Sequence, residues 1–274
     1  SQAYTFSAKL EKPLMSRPYV AKEENWGEQP VVRNKNKAGK KEMELPPGYS
    51  FENWEAPKDI YGRDQLFEPT GIAVAKDGTV VVATRTAGIW RIRNDKWTKF
   101  AEGTYECLGV WIEDDKGDQF VVMQKPELTR MKDSNGDGRG DSFETVCDDY
   151  GFHGNYHEYA HGPVRDKEGN YYFSLNLSHG GNERTSWRAG GPFMGSMGGY
   201  RGWACRVTPE GKFEPFANGL RSPAGIGVDP EGRIWYAENQ GEYVGSSKVV
   251  PLEKGKFYGH LSGLLTLEGK MKPD

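Results

Sequence analysis

Gly225-Ile-Gly-Val-Asp-Pro-Glu-Gly232 decides the architecture, because the chain says it more than once. Gly71-Ile-Ala-Val-Ala-Lys-Asp-Gly78 and Gly162-Pro-Val-Arg-Asp-Lys-Glu-Gly169 repeat the phrase, and residues 109–117 carry it with one extra residue. Each copy runs into a β-rich stretch: Val80-Val81-Val82, Gln119-Phe120-Val121-Val122, Tyr171-Tyr172-Phe173 and Arg233-Ile234-Trp235-Tyr236. A second phrase makes chance a poor account. Arg91-Ile92 through Trp97 to Gly103 matches Arg206-Val207 through Phe213 to Gly219, with Gly211 the extra residue. The first phrase then resumes six residues later in both places, at Gly109 and Gly225. Each unit therefore holds two hairpins. Four-stranded units of roughly 40 residues are the blades of a β-propeller. A β-sandwich with similar hairpins is the competing all-β architecture.

The bulk numbers set the limits. With 274 residues the chain is long enough for one large β domain with a real core. Its 36 glycines suit a turn-rich fold. A net charge of -3 leaves no footprint for nucleic acid. Mean hydropathy is -0.77, and no apolar run approaches membrane-spanning length. No signal peptide is visible at Ser1, so one has been removed or the protein is cytosolic. The three cysteines, Cys107, Cys147 and Cys205, leave at least one thiol without an intrachain partner. A Cys107–Cys147 bridge and free, buried thiols are both open. No Cys-x-x-Cys-His is present, which excludes a covalently attached c-type haem.

Residues 1–48 differ from the rest. They are rich in proline, carry a basic tract at 35–41 and lack apolar periodicity, so they read as an extended arm. The basic tract reads as solvated. The propeller occupies 49–274, with blades at roughly 49–103, 104–148 and 149–219 and a fourth from Leu220. Three blades and an incomplete fourth do not close a ring, so the chain reads as part of a larger propeller.

Alternation of antiparallel strands sorts the loops. Turns between first and second strands and between third and fourth lie on one face. Second-to-third loops and the links between blades lie on the other. That second face holds Arg85, Gln124, Lys125, Asn176, Glu238, Asn239 and Gln240 on its loops. Glu106, His153, His157, Glu158, His161, Arg221 and Ser222 lie on its links. Long loops on a rigid scaffold carry function, so the site is expected there.

On the other face, residues 133–144 fit the twelve-residue calcium-loop template. Asp133, Asn135, Asp137, Asp141 and Glu144 supply side-chain oxygens, Gly138 sits at the turn and Arg139 offers a backbone carbonyl. A metal-free acidic turn is the alternative. The flanks read as strands, so a bound Ca2+ would be structural and would staple a hairpin.

Two segments on the loop-rich face carry candidate chemistry. His153, His157 and His161 are spaced by four, which would suit a metal if helical, but Gly151, Gly154 and Gly162 argue for a loop. One of them as a general base is the sharper reading, since histidine titrates near neutral pH. The second segment is Arg221, Ser222 and Pro223 with Glu238, Asn239 and Gln240. Arg221 offers a planar fork of donors suited to carboxylates. An inter-blade salt bridge from Arg221 to Glu238 is the structural alternative.

The run 219–232, then Glu238-Asn-Gln-Gly241 and Tyr258-Gly259, resembles the soluble quinoprotein glucose/sorbosone dehydrogenases. The resemblance implies a six-bladed propeller that oxidises a sugar or alcohol with pyrroloquinoline quinone (PQQ). It assigns the quinone contacts to Arg221, Ser222, Glu238, Asn239 and Gln240. Ser222 stands where the family has Asn, and Glu242 where it has Pro. The family's base precedes a strand–Asp-Gly–strand phrase, which implies His157 ahead of His161. Leu45-Pro-Pro-Gly-Tyr49 and Glu68-Pro-Thr-Gly-Ile-Ala-Val74 look like the opening of secreted planctomycete and verrucomicrobial propellers of membrane-bound-dehydrogenase-like type. That implies an extracytoplasmic location with the signal peptide removed. Two other functions stay open. One is a non-catalytic propeller that binds a protein partner through the 1–48 arm. The other is a calcium-dependent lactonase or hydrolase with Asn176, Glu238 and Asn239 around a metal.

Overall fold

Each phrase glycine lies at or near the start of an inner strand, and the glycine that closes the phrase, after Asp, Glu or, in blade two, Lys116, turns the chain into its hairpin partner. The computed structural model describes residues 26–35, 37–38, 41–42, 44–179, 194–195, 199–239 and 245–260. Every regular element among them is a β-strand, and four antiparallel sheets form successive blades of a β-propeller. Blade one is Pro69–Val74, Val80–Thr84, Ile89–Arg93 and Lys96–Ala101. Blade two is Val110–Ile112, Gln119–Met123, Leu128–Lys132 and Ser142–Cys147. Blade three is Ala160–Arg165, Tyr171–Leu175, Trp203–Val207 and Phe213–Asn218, and blade four is Pro223–Val228, Ile234–Glu238 and Lys248–Pro251.

The core lies between blades rather than inside one layer. Strand alternation sends Val81 and Ala83 toward blade two, where they meet Cys107, Phe120, Val122 and Met131. Val80 and Val82 face the other way, with Trp90 and Trp97. Val121, Met123 and Cys147 of blade two pack with Phe173, Trp203 and Cys205 of blade three. Tyr172, Ala204 and Phe216 of blade three pack with Ile234 and Tyr236 of blade four. All three thiols are free and buried, and Cys107 and Cys147 lie in different interfaces.

The described part of the arm is built into the propeller. Gln29–Pro30 pairs with Trp97 and Lys96 as a fifth strand on blade one, and Arg33–Lys35 pairs with Glu52–Trp54. Trp26 meets Trp90 edge-on at 5.6 Å, and the Lys99 ammonium sits 3.6 Å over the Trp26 ring. Ile72 and Val74 on the inner strand stay 65% exposed, beside a groove of about 850 Å³ lined by Trp54, Phe67, Val82 and Trp97.

Candidate functional site

The loops sort as alternation predicts. The backbone N–H of Arg85 donates to the Glu68 carbonyl at 3.1 Å, and that of Lys125 to Tyr105 at 3.2 Å. In blades three and four, Asn176 N–H reaches the Tyr159 carbonyl at 2.9 Å and Asn239 N–H reaches Ser222 at 3.3 Å. Each second-to-third loop is thus tied to the link that enters its own blade, and both sets share one face. Glu68, Glu106, Tyr159 and Ser222 are equivalent positions, each three residues before its phrase glycine.

The four inner strands enclose a cavity of about 400 Å³, lined by residues 70–73, 108–111, 161–164 and 224–226. His161 is the titratable side chain among these described lining residues. Burial alone drives its pKa down to about 4, so the imidazole is neutral at physiological pH. The Tyr159 ring lies 6.3 Å from it. His161 therefore sits on a strand, not in the glycine-rich loop. The three histidines are not brought together. His153 Nδ1 lies 3.3 Å from Glu158, and His157 stands edge-on to Tyr156 at 5.1 Å. No cluster of three or more His, Cys, Asp or Glu among the described residues is arranged to hold a metal ion.

Beside the cavity lies a network that sequence reasoning did not assemble. Arg85 donates to Glu106 through Nε at 3.0 Å and Nη2 at 2.8 Å. The buried Lys125 ammonium pairs with the same carboxylate and donates to the Tyr156 carbonyl at 2.8 Å. It also lies 4.5 Å over the Tyr159 ring. Burial pushes the Glu106 carboxyl up, but the Lys125 and Arg85 bonds outweigh it and hold the group below the usual range. Its members come from different blades and links, which hides them in a linear reading. The readable trace was the pair Glu68 and Glu106, both at positive φ in equivalent links.

A second buried pair holds the histidine segment in shape. Glu158 is fully buried and accepts from Ser178 Oγ at 2.7 Å and from the His153 N–H at 2.9 Å. The buried Arg201 guanidinium donates to the carbonyls of Glu158 at 3.2 Å and Gly151 at 2.6 Å.

In blade four the expected Arg221–Glu238 contact runs through backbone. The buried Glu238 carboxylate accepts from the N–H groups of Arg221 at 2.9 Å, Ser222 at 2.8 Å and Asn239 at 3.1 Å. Burial still lifts its pKa above the ordinary value. Glu238 thereby shapes the 221–222 link. Gln240 lies outside the described residues.

On the opposite face, the 133–144 loop folds on its own backbone. Asp133 accepts from Gly136 N–H at 2.7 Å and Gly138 N–H at 2.8 Å. Asn135 takes the Asp137 N–H at 2.9 Å, and Asp137 takes the Arg139 N–H at 2.8 Å. Asp141 accepts from Ser134 N–H at 2.9 Å, which lowers its pKa. Glu144 is turned away and pairs with Arg130 at 2.7 Å. The loop docks on blade one, where Gly140 N–H reaches the Phe100 carbonyl at 2.8 Å and Arg91 pairs with Asp118 and Asp133. It staples two blades, not only its own hairpin.

No family model matches the chain, and no curated protein matches it. Solved structures do. The PQQ-bound aldose sugar dehydrogenase of Streptomyces coelicolor aligns with a TM-score of 0.56 at 18% identity, covering 71% of this chain and 63% of that one. The apo soluble aldose sugar dehydrogenase of Escherichia coli aligns at 0.53 and 14% identity, with coverages of 71% and 63%. A glucose dehydrogenase structure aligns at 0.54 and 18%, with coverages of 72% and 64%. The chain spans just under two thirds of the length of these proteins. No helix among the described residues is long and apolar enough to cross a membrane. At these identities the likeness concerns the fold, and the fold of this chain is four blades of a β-propeller.

Proposed function

We propose that the loop-rich face serves a PQQ-dependent sugar or alcohol dehydrogenase, with His161 as the base. The observation that carries this reading is the neutral, partly buried imidazole lining the axial cavity. Burial keeps His161 unprotonated at working pH, as a base must be, and lowers its basicity in the same stroke, so its role rests on its place at the cavity. We place the role on His161 rather than His157 because the cavity lining includes 161–164 and not 157. A bound quinone would supply the two-electron acceptor for the oxidised carbon. An imidazole nitrogen of His161 takes the hydroxyl proton. Arg221 holds a carboxylate or quinone oxygen with its planar fork, and Ser222 and Asn239 flank it. The residues fit such a ligand in one further respect. Asn176 Oδ1 is a buried acceptor with no hydrogen-bond partner among the described residues, suited to a ligand hydroxyl or N–H. Glu238, whose oxygens already accept three backbone N–H groups, would offer a ligand only its remaining acceptor capacity.

A Ca2+ in the 133–144 loop would draw on Asp133, Asn135, Asp137, Asp141 and the Arg139 carbonyl, without Glu144, and would have to win those oxygens from the loop's own N–H groups, since they are not gathered as a metal cluster here. Its place is structural, at the staple between blades one and two. An extracytoplasmic location accompanies the dehydrogenase reading. The second reading is a partner-binding propeller without chemistry, and its support is the exposed apolar face of blade one at Ile72 and Val74.

The test is a PQQ titration in millimolar calcium, followed by absorbance and calorimetry. Saturable binding that is lost in Arg221→Ala supports the dehydrogenase, and a sugar screen with a redox dye then follows, with His161→Asn as the inactive control. Absence of binding in the natural-length protein sinks it.

A further inference from the structure

Aromatic rings line the route outward from the axial cavity. Tyr159 stands 6.3 Å from His161, Tyr156 stands 5.7 Å from Tyr159, and His157 stands 5.1 Å from Tyr156. Tyr105 joins the group over the same Lys125 ammonium, 6.0 Å from its ring, and meets Phe152 edge-on at 5.6 Å. Two of these rings are open to solvent: Tyr156 is 59% exposed and Tyr105 is 46% exposed. Tyrosines left this open gain little from the fold, whose core needs neither.

The rings are nevertheless held firmly. Lys125 is 2% exposed and is fixed by Glu106, by the Tyr156 carbonyl and by the faces of the tyrosines. Arg85 lies 5.5 Å over the Tyr156 ring while gripping Glu106. A buried, paired cation beneath exposed rings fixes their positions without solvating them. Tyrosine presents an apolar face and a polar tip, which suits a ligand with apolar C–H faces and hydroxyl edges. Pre-positioned rings also lower the ordering cost of binding.

We infer that Tyr156 and Tyr105 form an outer subsite for a carbohydrate chain, so that the substrate is an oligosaccharide rather than a free monosaccharide. The inference rests on the dehydrogenase reading for placing the terminal sugar at His161. The outer units then lie along Tyr159, Tyr156 and Tyr105. A neutral glycan is favoured because Arg85 and Lys125 are already balanced by Glu106 and by Glu68, 3.9 Å from Arg85.

The test is calorimetric titration of the protein without quinone, using glucose, maltotriose and cellotriose. At least one trisaccharide is expected to bind about tenfold more tightly than glucose. Tyr156→Ala, and the double variant with Tyr105→Ala, are expected to bring that ratio toward one, whereas Tyr156→Phe keeps most of it. Both rings are exposed, and thermal unfolding confirms that the variants fold. Equal affinities for glucose and both trisaccharides, an unchanged ratio in the double variant, or no binding of any of the three overturns the inference. Trisaccharide binding that depends on Tyr156, together with failure of the quinone titration, retains the subsite and rejects the dehydrogenase.

Discussion

Gly109→Ala tests how the blades are held together. The inner strands pass so close that a Cβ on Gly109 would lie 1.9 Å from the Gly162 carbonyl oxygen and 2.7 Å from its carbon. The obstacle is backbone of the next blade, so no side chain can swing aside. The φ of Gly109 is 153°, a conformation that side chains rarely adopt. Overpacking costs about 1–3 kcal/mol and sparsely populated backbone about 1–3 kcal/mol, so about 3 kcal/mol is expected together. For a domain of this size that lowers Tm by roughly 6–12 °C. Gly225→Ala is the internal control. It opens the same phrase in blade four, but its Cβ would meet only the Ala237 Cβ at 3.8 Å, an ordinary contact. Its expected change is within about 0.5 kcal/mol. Thermal unfolding followed by circular dichroism compares the two. Equal losses in both variants would refute the view that the phrase glycine serves close approach between inner strands.

Other outcomes follow from the same geometry. His161 has a folded pKa of about 4 against 6.5 for the free side chain, so the unfolded chain binds the extra proton between those values. Stability is therefore unaffected by this group above pH 6.5 and falls by about 3 kcal/mol as pH drops to 4; His161→Asn should flatten that part of the denaturation profile. Glu238→Gln replaces one of two accepting oxygens by a donor and strands a backbone N–H of the 221–222 link, which should cost about 1–3 kcal/mol in urea unfolding. Glu106→Gln leaves the buried Lys125 without its carboxylate, and a loss of about 3 kcal/mol is expected, with weaker monosaccharide binding as Tyr159 loosens. If calcium staples blades one and two, millimolar calcium raises Tm in the wild type and not in Asp137→Ala, while Glu144→Ala keeps the response.

Repetition made the blades legible, since hairpin phrases at regular spacing leave few architectures open. The tight 133–144 turn between two strands was equally visible, because its residues are neighbours in sequence. The reason for the phrase glycine was not visible. Read alone, Gly71, Gly109, Gly162 and Gly225 look alike, yet Cβ atoms at the first three would press on backbone or on Phe173 of the fold, and the last has room. The choice between His157 and His161 as the proposed base shows the same limit. Distance from the phrase favours His157, but the backbone turns at 156–157 and only at Ala160 enters the inner strand, which carries His161 to the axis. Spacing along a chain measures contour, not direction, and a loop of unknown shape separates the two.

Polar networks are hidden for a different reason. Arg85, Glu106, Lys125 and Tyr159 come from two loops and two links, so nothing in their local sequence announces a shared partner. What the sequence does carry is position. Glu68 and Glu106 recur three residues before a phrase glycine, both at positive φ, where an ordinary side chain is uncommon. Tyr159 and Ser222 stand at the same place in the next two blades. A propeller offers this position once per blade around its axis, and the chain fills it with two carboxylates, a phenol and a hydroxyl. Repeat architecture fixes the ring, and departures from the repeat write the chemistry onto it. Those departures, aligned on the glycine and not on motif identity, are where a site on this fold is to be sought.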